Sequence, residues 1–129
     1  MSPNELVDKA RQAVTNAHAP YSGYRVGAAL LCCDGTVITG CNVENASYGL
    51  TNCAERTAIF TAVATGRSKF TAIAVASSAD PAPYPCGACR QVLAEFCPAD
   101  LPVYIATHEG YETLSLGELL PHTFGASDG

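Results

Sequence analysis

The chain has 129 residues, of which 48% are hydrophobic and 15% are charged, and this is enough to fill the core of one compact domain. Seven basic and twelve acidic residues give a net charge of −5 at pH 7. Because lysine and arginine form no cluster, the chain lacks the basic surface of a nucleic-acid binder, and we expect small molecules as its substrates.

The N-terminal segment predicts an amphipathic helix. Pro3 suits a first helical turn, apolar residues recur at helical spacing from Leu6 to Ala17, and Ala19-Pro20 ends the pattern. The segment is charged where a signal peptide would be apolar, and no run in the sequence approaches the roughly 20 apolar residues of a membrane span. We therefore expect a cytoplasmic protein that does not enter a membrane.

A β-hairpin follows the first helix. Residues 24–31 and 37–41 are strand-like and flank Asp34-Gly35, a dipeptide that favours a tight turn. The apolar runs 70–77 and 101–107 predict two further buried strands.

Each later strand is preceded by a predicted helix. One helix is headed by Asn52 and ends at Gly66, and another begins at about Pro85. The order αββαβαβ predicts an α/β fold with a mixed sheet, in which the hairpin pairs antiparallel and strands joined through helices pair parallel. Residues 114–129 contain a short helical piece and loosen from about residue 125, and we find no linker, so one domain spans residues 1–129.

The seven cysteines do not form an evident disulfide framework, because their number is odd. Cys86 and Cys89 form a C-x-x-C pair at the start of a predicted helix, and Cys53 lies at the start of the preceding helix. Two helix N-termini that point at one place would stabilise three thiolates, which predicts one zinc ion per chain. A redox dithiol remains an alternative for the C-x-x-C pair, and Cys41 or Cys97 remains conceivable as a fourth ligand.

Glu55 follows Cys53 by two residues and has two interpretations. It can carry protons beside the metal, or it can complete a capping box with Asn52. Arg56 likewise either donates to the ligand sulfurs or is an ordinary solvated arginine. The joint pattern C-x-E followed by P-C-x-x-C matches the signature of zinc deaminases, with cysteine in place of the first histidine.

Five segments resemble, in order, those of the small cytidine deaminases of pyrimidine salvage: PYSGYRVGAAL, GCNVENASYG, CAERTA, PCGACRQV and ELLPHTFG. The resemblance covers nearly the whole chain. It implies a three-layer α/β/α fold with a mixed five-stranded sheet, zinc held by Cys53, Cys86 and Cys89, and a homotetramer with its active sites at subunit contacts. It also implies hydrolytic deamination of cytidine and 2′-deoxycytidine, with Glu55 moving the protons.

Asn42 and Glu44 alternate at the end of a predicted strand, so that their side chains point the same way and an amide lies beside a carboxylate. Such a pair suits the hydroxyls of a ribose. The resemblance also implies ribose contacts for both residues, and it places the Ala54 backbone near the base.

Three aromatic residues complete the expected site. Tyr24 stands where relatives usually have phenylalanine against the base, and Tyr48 and Phe124 match positions that reach the active site of a neighbouring subunit. From the residues alone, the last two would be interpreted as ordinary core aromatics. A deaminase of another base or of nucleic acid, and a zinc or redox module without catalytic activity, remain alternative functions.

Overall fold

The computed structural model describes residues 1–125, which form a sheet between two layers of helices. The helices are α1 (Pro3–Ala13), α2 (Ala54–Ala64), α3 (Gly87–Phe96) and the short α4 (Leu116–Leu119). The strands are β1 (Val26–Cys32), β2 (Val37–Cys41), β3 (Phe70–Ser77), β4 (Pro102–Thr107) and β5 (Gly110–Ser115). The expected three-layer α/β/α architecture is confirmed.

The predicted N-terminal helix forms, although it ends earlier than Ala17. Ser2 caps α1, and Ser2 and Glu5 exchange the two hydrogen bonds of a capping box. A 3-10 turn over Val14–Asn16 follows the helix. Within residues 1–125, no helix is both long enough and apolar enough to cross a membrane.

The sheet is mixed and has the strand order β2-β1-β3-β4-β5. Only β3 and β4 pair parallel, and the other three neighbouring pairs are antiparallel. The predicted hairpin is confirmed as β1–β2, with Gly35 at a φ of 87° in its turn. The prediction that strands joined through a helix pair with each other holds for β3 and β4 but not for β2 and β3, because β1 lies between them.

Strand β5 was not identified from the sequence. It has no apolar run, since it is an edge strand in which Glu112 and Thr113 are exposed. Edge strands bury less surface than central strands, and their sequences carry a weaker periodic signal.

The two faces of the sheet have side chains of different size. The face toward α2 and α3 carries large residues such as Leu30, Ile73 and Ile105, whereas the face toward α1 is lined mainly by alanines of β1 and β3. On the α2 side, Gly40 lies so close to that helix that an added Cβ would be 2.5 Å from both the Ala54 oxygen and the Ala58 nitrogen. This close approach fixes the first turn of α2 on β2. The expected loosening of the tail concerns residues 126–129, which lie outside the described residues.

Candidate metal centre

Cys53, Cys86 and Cys89 meet at the N-termini of α2 and α3. Cys53 and Cys86 are the N-cap residues of these helices, and Cys89 lies in the first turn of α3. Their Sγ atoms all lie within 4.8 Å of one another, and the Cys53 and Cys86 sulfurs are 3.8 Å apart. Tetrahedral zinc with Zn–S bonds near 2.3 Å holds its sulfur ligands about 3.8 Å apart. The donor set and its spacing therefore fit zinc.

The other four cysteines do not join this cluster. Cys32 and Cys97 are buried, Cys41 is partly buried and Cys33 is exposed, and all seven thiols are free. Among the described residues, the three-cysteine group is the one set of three or more potential ligands that shares a position. Among residues 1–125, neither Cys41 nor Cys97 lies with the three clustered sulfurs, so the structure does not support a closed four-cysteine site.

The environment of Cys53 favours its thiolate form. Hydrogen bonding from the Cys89 thiol and then from Arg56 lowers the pKa of Cys53 to about 5. The Arg56 Nη2 atom donates to Cys53 Sγ at 3.1 Å. Arg56 is therefore not the solvated arginine of the alternative interpretation. A cation at this place offsets part of the negative charge that three thiolates bring together.

Glu55 lies beside the cluster and is only 3% exposed. Because Cys53 rather than Asn52 is the N-cap, Glu55 is at the second helical position and the predicted capping box does not form. The Asn52 side chain donates to Thr57 Oγ1 at 3.3 Å instead. Burial, with the nearby Cys53 charge, raises the pKa of Glu55 to about 7. A carboxyl group with this pKa can both accept and release a proton near neutral pH.

A cavity of about 260 Å³ adjoins the cysteine cluster and is lined by Cys53 and Cys86. The first turn of α2 also contributes Ala54 and Glu55 to the lining. The rest of the lining includes Tyr24, Asn42, Glu44, Pro83 and Tyr84. Seven of the residues expected from the sequence therefore line one pocket, which brings two cysteines of the cluster, a buried acid and polar side chains together: Tyr24, Asn42, Glu44, Cys53, Ala54, Glu55 and Cys86.

Asn42 lines the pocket and also holds the backbone in front of β1. Its Oδ1 accepts a hydrogen bond from the Val26 nitrogen at 2.8 Å, and its Nδ2 donates to the Tyr24 oxygen at 2.9 Å. Tyr24 in turn donates its hydroxyl to the Pro81 carbonyl. The added hydroxyl of Tyr24, relative to phenylalanine, thus ties the loop before α3 to the loop before β1.

Glu44 likewise lines the pocket and also accepts hydrogen bonds from the neighbouring loop. Its Oε1 accepts from the backbone nitrogens of Tyr21 and Ser22, at 3.0 and 3.1 Å, and its Oε2 accepts from the Ser22 hydroxyl. Hydrogen bonding from Ser22 and Tyr21 lowers the pKa of Glu44, so that it is an anion at neutral pH. Ser22 was not predicted from the sequence, because this contact joins residues far apart in the chain.

Tyr48 and Phe124 do not lie in the pocket of their own chain. Tyr48 is 82% exposed and borders an adjoining cavity of about 330 Å³ that shares Glu44 with the first. Phe124 is 86% exposed, and the Gln91 side chain accepts from its backbone nitrogen at 3.3 Å and donates to its oxygen at 2.8 Å. The interpretation of these two aromatics as core residues is therefore wrong.

The chain is similar to cytidine deaminases over its whole length. Residues 1–105 match the model of the cytidine and deoxycytidylate deaminase zinc-binding region. A cytidine deaminase of Halalkalibacterium halodurans is 55% identical over 130 residues, which cover 99% of this chain and 98% of the relative. One from Sporosarcina psychrophila is 46% identical, with 99% and 95% covered.

Solved structures agree with these sequence matches. The crystal structure of a cytidine deaminase from Burkholderia pseudomallei superposes with a TM-score of 0.90 and 48% identity, and the match covers 96% of this chain and 100% of that one. A cytidine deaminase structure from Mycobacterium tuberculosis gives a TM-score of 0.85 and 42% identity, with 98% and 99% covered.

Proposed function

Because the chain belongs to the cytidine and deoxycytidylate deaminase family, we infer that it is a zinc-dependent hydrolase that converts cytidine to uridine and ammonia. The main support for this function is that a cluster of three cysteine sulfurs and a buried glutamate lie together at one small pocket. We extend the proposal to 2′-deoxycytidine and to a role in pyrimidine salvage.

Cys53, Cys86 and Cys89 would hold one zinc ion per chain. When bound, zinc lowers the pKa of a water molecule from about 15.7 to about 7 and so supplies a nucleophile near neutral pH. Arg56 has a supporting role. Three thiolates carry one more negative charge than Zn²⁺ neutralises, and the hydrogen bond from Arg56 to Cys53 withdraws part of that charge.

Glu55 is the proposed proton carrier. Its pKa near 7 allows its carboxylate to take a proton from the attacking water and its carboxylic acid to protonate N3 of the cytosine ring. Protonation at N3 makes C4 electrophilic, and the oxygen of the water forms a bond to C4. Glu55 then takes the remaining proton from the new hydroxyl group on C4 and passes it to the amino group as the C4–N bond breaks, which releases ammonia and leaves the C4 carbonyl of uridine.

Asn42 and Glu44 are proposed to contact the ribose, and Ala54 and Tyr24 the base. Asn42 uses one of its two amide hydrogens on the Tyr24 backbone, and Glu44 Oε2 accepts only from Ser22. An amide has two N–H donors and each carboxylate oxygen has two lone pairs, so both groups retain capacity for a hydroxyl of the substrate. The lining of the pocket by Ala54 and Tyr24 supports their assignment to the base.

We propose that the enzyme is a homotetramer in which Tyr48 and Phe124 complete the pocket of a neighbouring chain. Both aromatic side chains are largely exposed, as is Leu50, and Phe60 and Val63 are nearly half-exposed. Apolar side chains exposed in such numbers on a small chain favour an interface between proteins. The Gln91 side chain makes two hydrogen bonds to the Phe124 backbone, and these support a defined position for the residue that carries the ring.

We also propose that the chain acts as one catalytic domain in the cytoplasm. A single sheet has a hydrophobic core on each face, and the buried residues of the two cores come from the chain between Leu6 and Leu116. The seven free thiols suit a reducing compartment, in which ligand cysteines are not lost to disulfides.

An ultraviolet assay of the purified, zinc-loaded protein tests this function against cytidine, 2′-deoxycytidine, cytosine and adenosine. We expect conversion of both nucleosides of cytosine with release of ammonia. Free cytosine should react far more slowly, because it lacks the ribose that Asn42 and Glu44 are proposed to bind. A protein that retains zinc but leaves cytidine unchanged, or that prefers adenosine, would contradict the proposal.

A further inference from the structure

One wall of the pocket belongs to a loop without regular structure. Residues 78–86 lead from β3 to α3 and form neither helix nor strand. This loop ends at Cys86 and brings Pro83 and Tyr84 to the pocket. The Tyr84 side chain is half-exposed, at 48%. A half-exposed aromatic ring can adopt several rotamers unless another group holds it.

A residue of the edge strand holds Tyr84. The Tyr84 hydroxyl donates to Glu112 Oε1 at 2.6 Å. Glu112 pairs with Ile105 across the β4–β5 ladder, so its side chain is on the same face of the sheet as Ile105, which is the face of α2, α3 and the pocket. The hydrogen bond to Glu112 also raises the pKa of Tyr84, which keeps the hydroxyl protonated as the donor.

The hairpin that carries Glu112 is fixed to the rest of the molecule. Arg11 of α1 donates through Nη2 to the Thr107 oxygen at 3.1 Å and to the Gly110 oxygen at 3.0 Å. Six residue pairs join β4 to β5. Glu112 therefore projects from an edge strand that is held along one side by β4 and at its turn by Arg11.

The same hairpin reaches the loop at a second place. His108 Nε2 lies 2.7 Å from Asp80 Oδ1. Both side chains are exposed, at 82% and 78%, and exposed pairs of this kind contribute little. The contact of Glu112 with Tyr84 is the more consequential of the two, because Tyr84 itself lines the pocket.

We propose that Glu112 is a positioning residue that holds the Tyr84 ring at the wall of the nucleoside pocket, although Glu112 does not line that pocket. The inference rests on the proposed function and adds the β4–β5 hairpin to the parts of the fold that shape the substrate site. Fixing the ring in advance reduces the entropy that substrate binding must otherwise overcome. We expect the effect on binding, since Tyr84 lines the pocket but transfers no proton in the proposed reaction.

A double-mutant cycle tests the proposal with wild type, Tyr84→Phe, Glu112→Ala and the double variant. We expect each single change to raise KM for cytidine, and the dissociation constant of uridine measured by calorimetry, by about three- to fivefold. Both kcat and zinc content should stay unchanged. The double variant should be no worse than either single variant, because both remove the same hydrogen bond.

Two further variants separate positioning from a general loss of charge or stability. Glu112→Gln keeps an acceptor oxygen and should restore most of the affinity. Glu109→Ala removes the same charge from the turn of the same hairpin and should leave KM unchanged. Unchanged KM in Tyr84→Phe and Glu112→Ala, additive effects in the double variant, or failure of Glu112→Gln to restore affinity would overturn the proposal. An inactive wild type would overturn the proposed function as well.

Discussion

At the scale of single residues, the role of Glu55 depends on where α2 begins. The sequence allowed a capping box between Asn52 and Glu55, which requires Asn52 at the N-cap. The helix instead begins after Cys53, and this shift of one residue leaves Glu55 buried beside the sulfurs with its pKa raised to about 7. Its burial is therefore not explained by helix capping.

Glu55→Gln should lower the rate of cytidine deamination by about 10²- to 10⁴-fold, because glutamine keeps the size of the side chain but cannot transfer protons. The melting temperature should change little. Steady-state kinetics and thermal unfolding of the same preparation check this. Glu5→Gln is the matched control, since Glu5 does complete a capping box in α1, and it should retain full activity. A Glu55→Gln variant with wild-type rates would show that Glu55 is not the proton carrier.

The cluster of three cysteines was predictable from sequence, whereas most contacts around it were not. Cys86 and Cys89 are neighbours in a motif, and Cys53 shares their position at a helix start. By contrast, the bonds of Glu44 to Ser22 and of Tyr84 to Glu112 join residues that lie far apart in the chain. Such pairs depend on the packing of whole elements, to which local spacing gives no guide.

At the scale of elements, the site depends on how closely α2 packs on β2. Gly40 makes this approach possible, because the backbone of α2 occupies the space that a side chain would need. Both elements were predictable from the sequence, but their contact was not. Strand β5 was not predicted, since an exposed edge strand does not need the apolar alternation by which strands are found.

Gly40→Ala should therefore disturb the metal centre from outside the pocket. A Cβ placed 2.5 Å from the Ala54 oxygen and the Ala58 nitrogen forces α2 away from β2, and overpacking of this kind costs typically about 1–3 kcal/mol of unfolding free energy. We expect a lower stability together with a reduced affinity for zinc, measured by denaturation and by competition with a chromogenic chelator. Gly49→Ala, which would meet no atom within 4 Å, should alter neither. Unchanged stability and zinc affinity in Gly40→Ala would contradict this account of how α2 is placed.

At the scale of the whole molecule, Tyr48 and Phe124 are exposed and do not line the pocket of their own chain. The fold places a pocket and its ligand sulfurs within one chain, but it leaves Tyr48 and Phe124 on the surface. The resemblance of GCNVENASYG, which contains Tyr48, and of ELLPHTFG, which contains Phe124, to segments of the small cytidine deaminases gave the reason to expect this. No property of a lone phenylalanine near a chain end distinguishes an interface residue from a core residue.

Phe124→Ala should weaken substrate binding while the zinc content and the melting temperature stay close to those of wild type. Truncating a buried phenylalanine costs about 3–5 kcal/mol, but this side chain is 86% exposed in the single chain. Light scattering across a dilution series, with KM for cytidine measured at each concentration, tests the assembly. A fully active monomer would contradict both the tetramer and the proposed contribution of Phe124 to a neighbouring pocket.

The dependence of cytidine deamination on zinc tests the central claim most directly. We expect one zinc ion per wild-type chain, loss of activity in step with its removal by a chelator, and recovery when zinc is returned. Cys41→Ala and Cys97→Ala should retain both metal and activity, whereas Cys53→Ala should lose both. Deamination by the metal-free protein, or loss of zinc from Cys41→Ala or Cys97→Ala with retention in Cys53→Ala, would contradict the account.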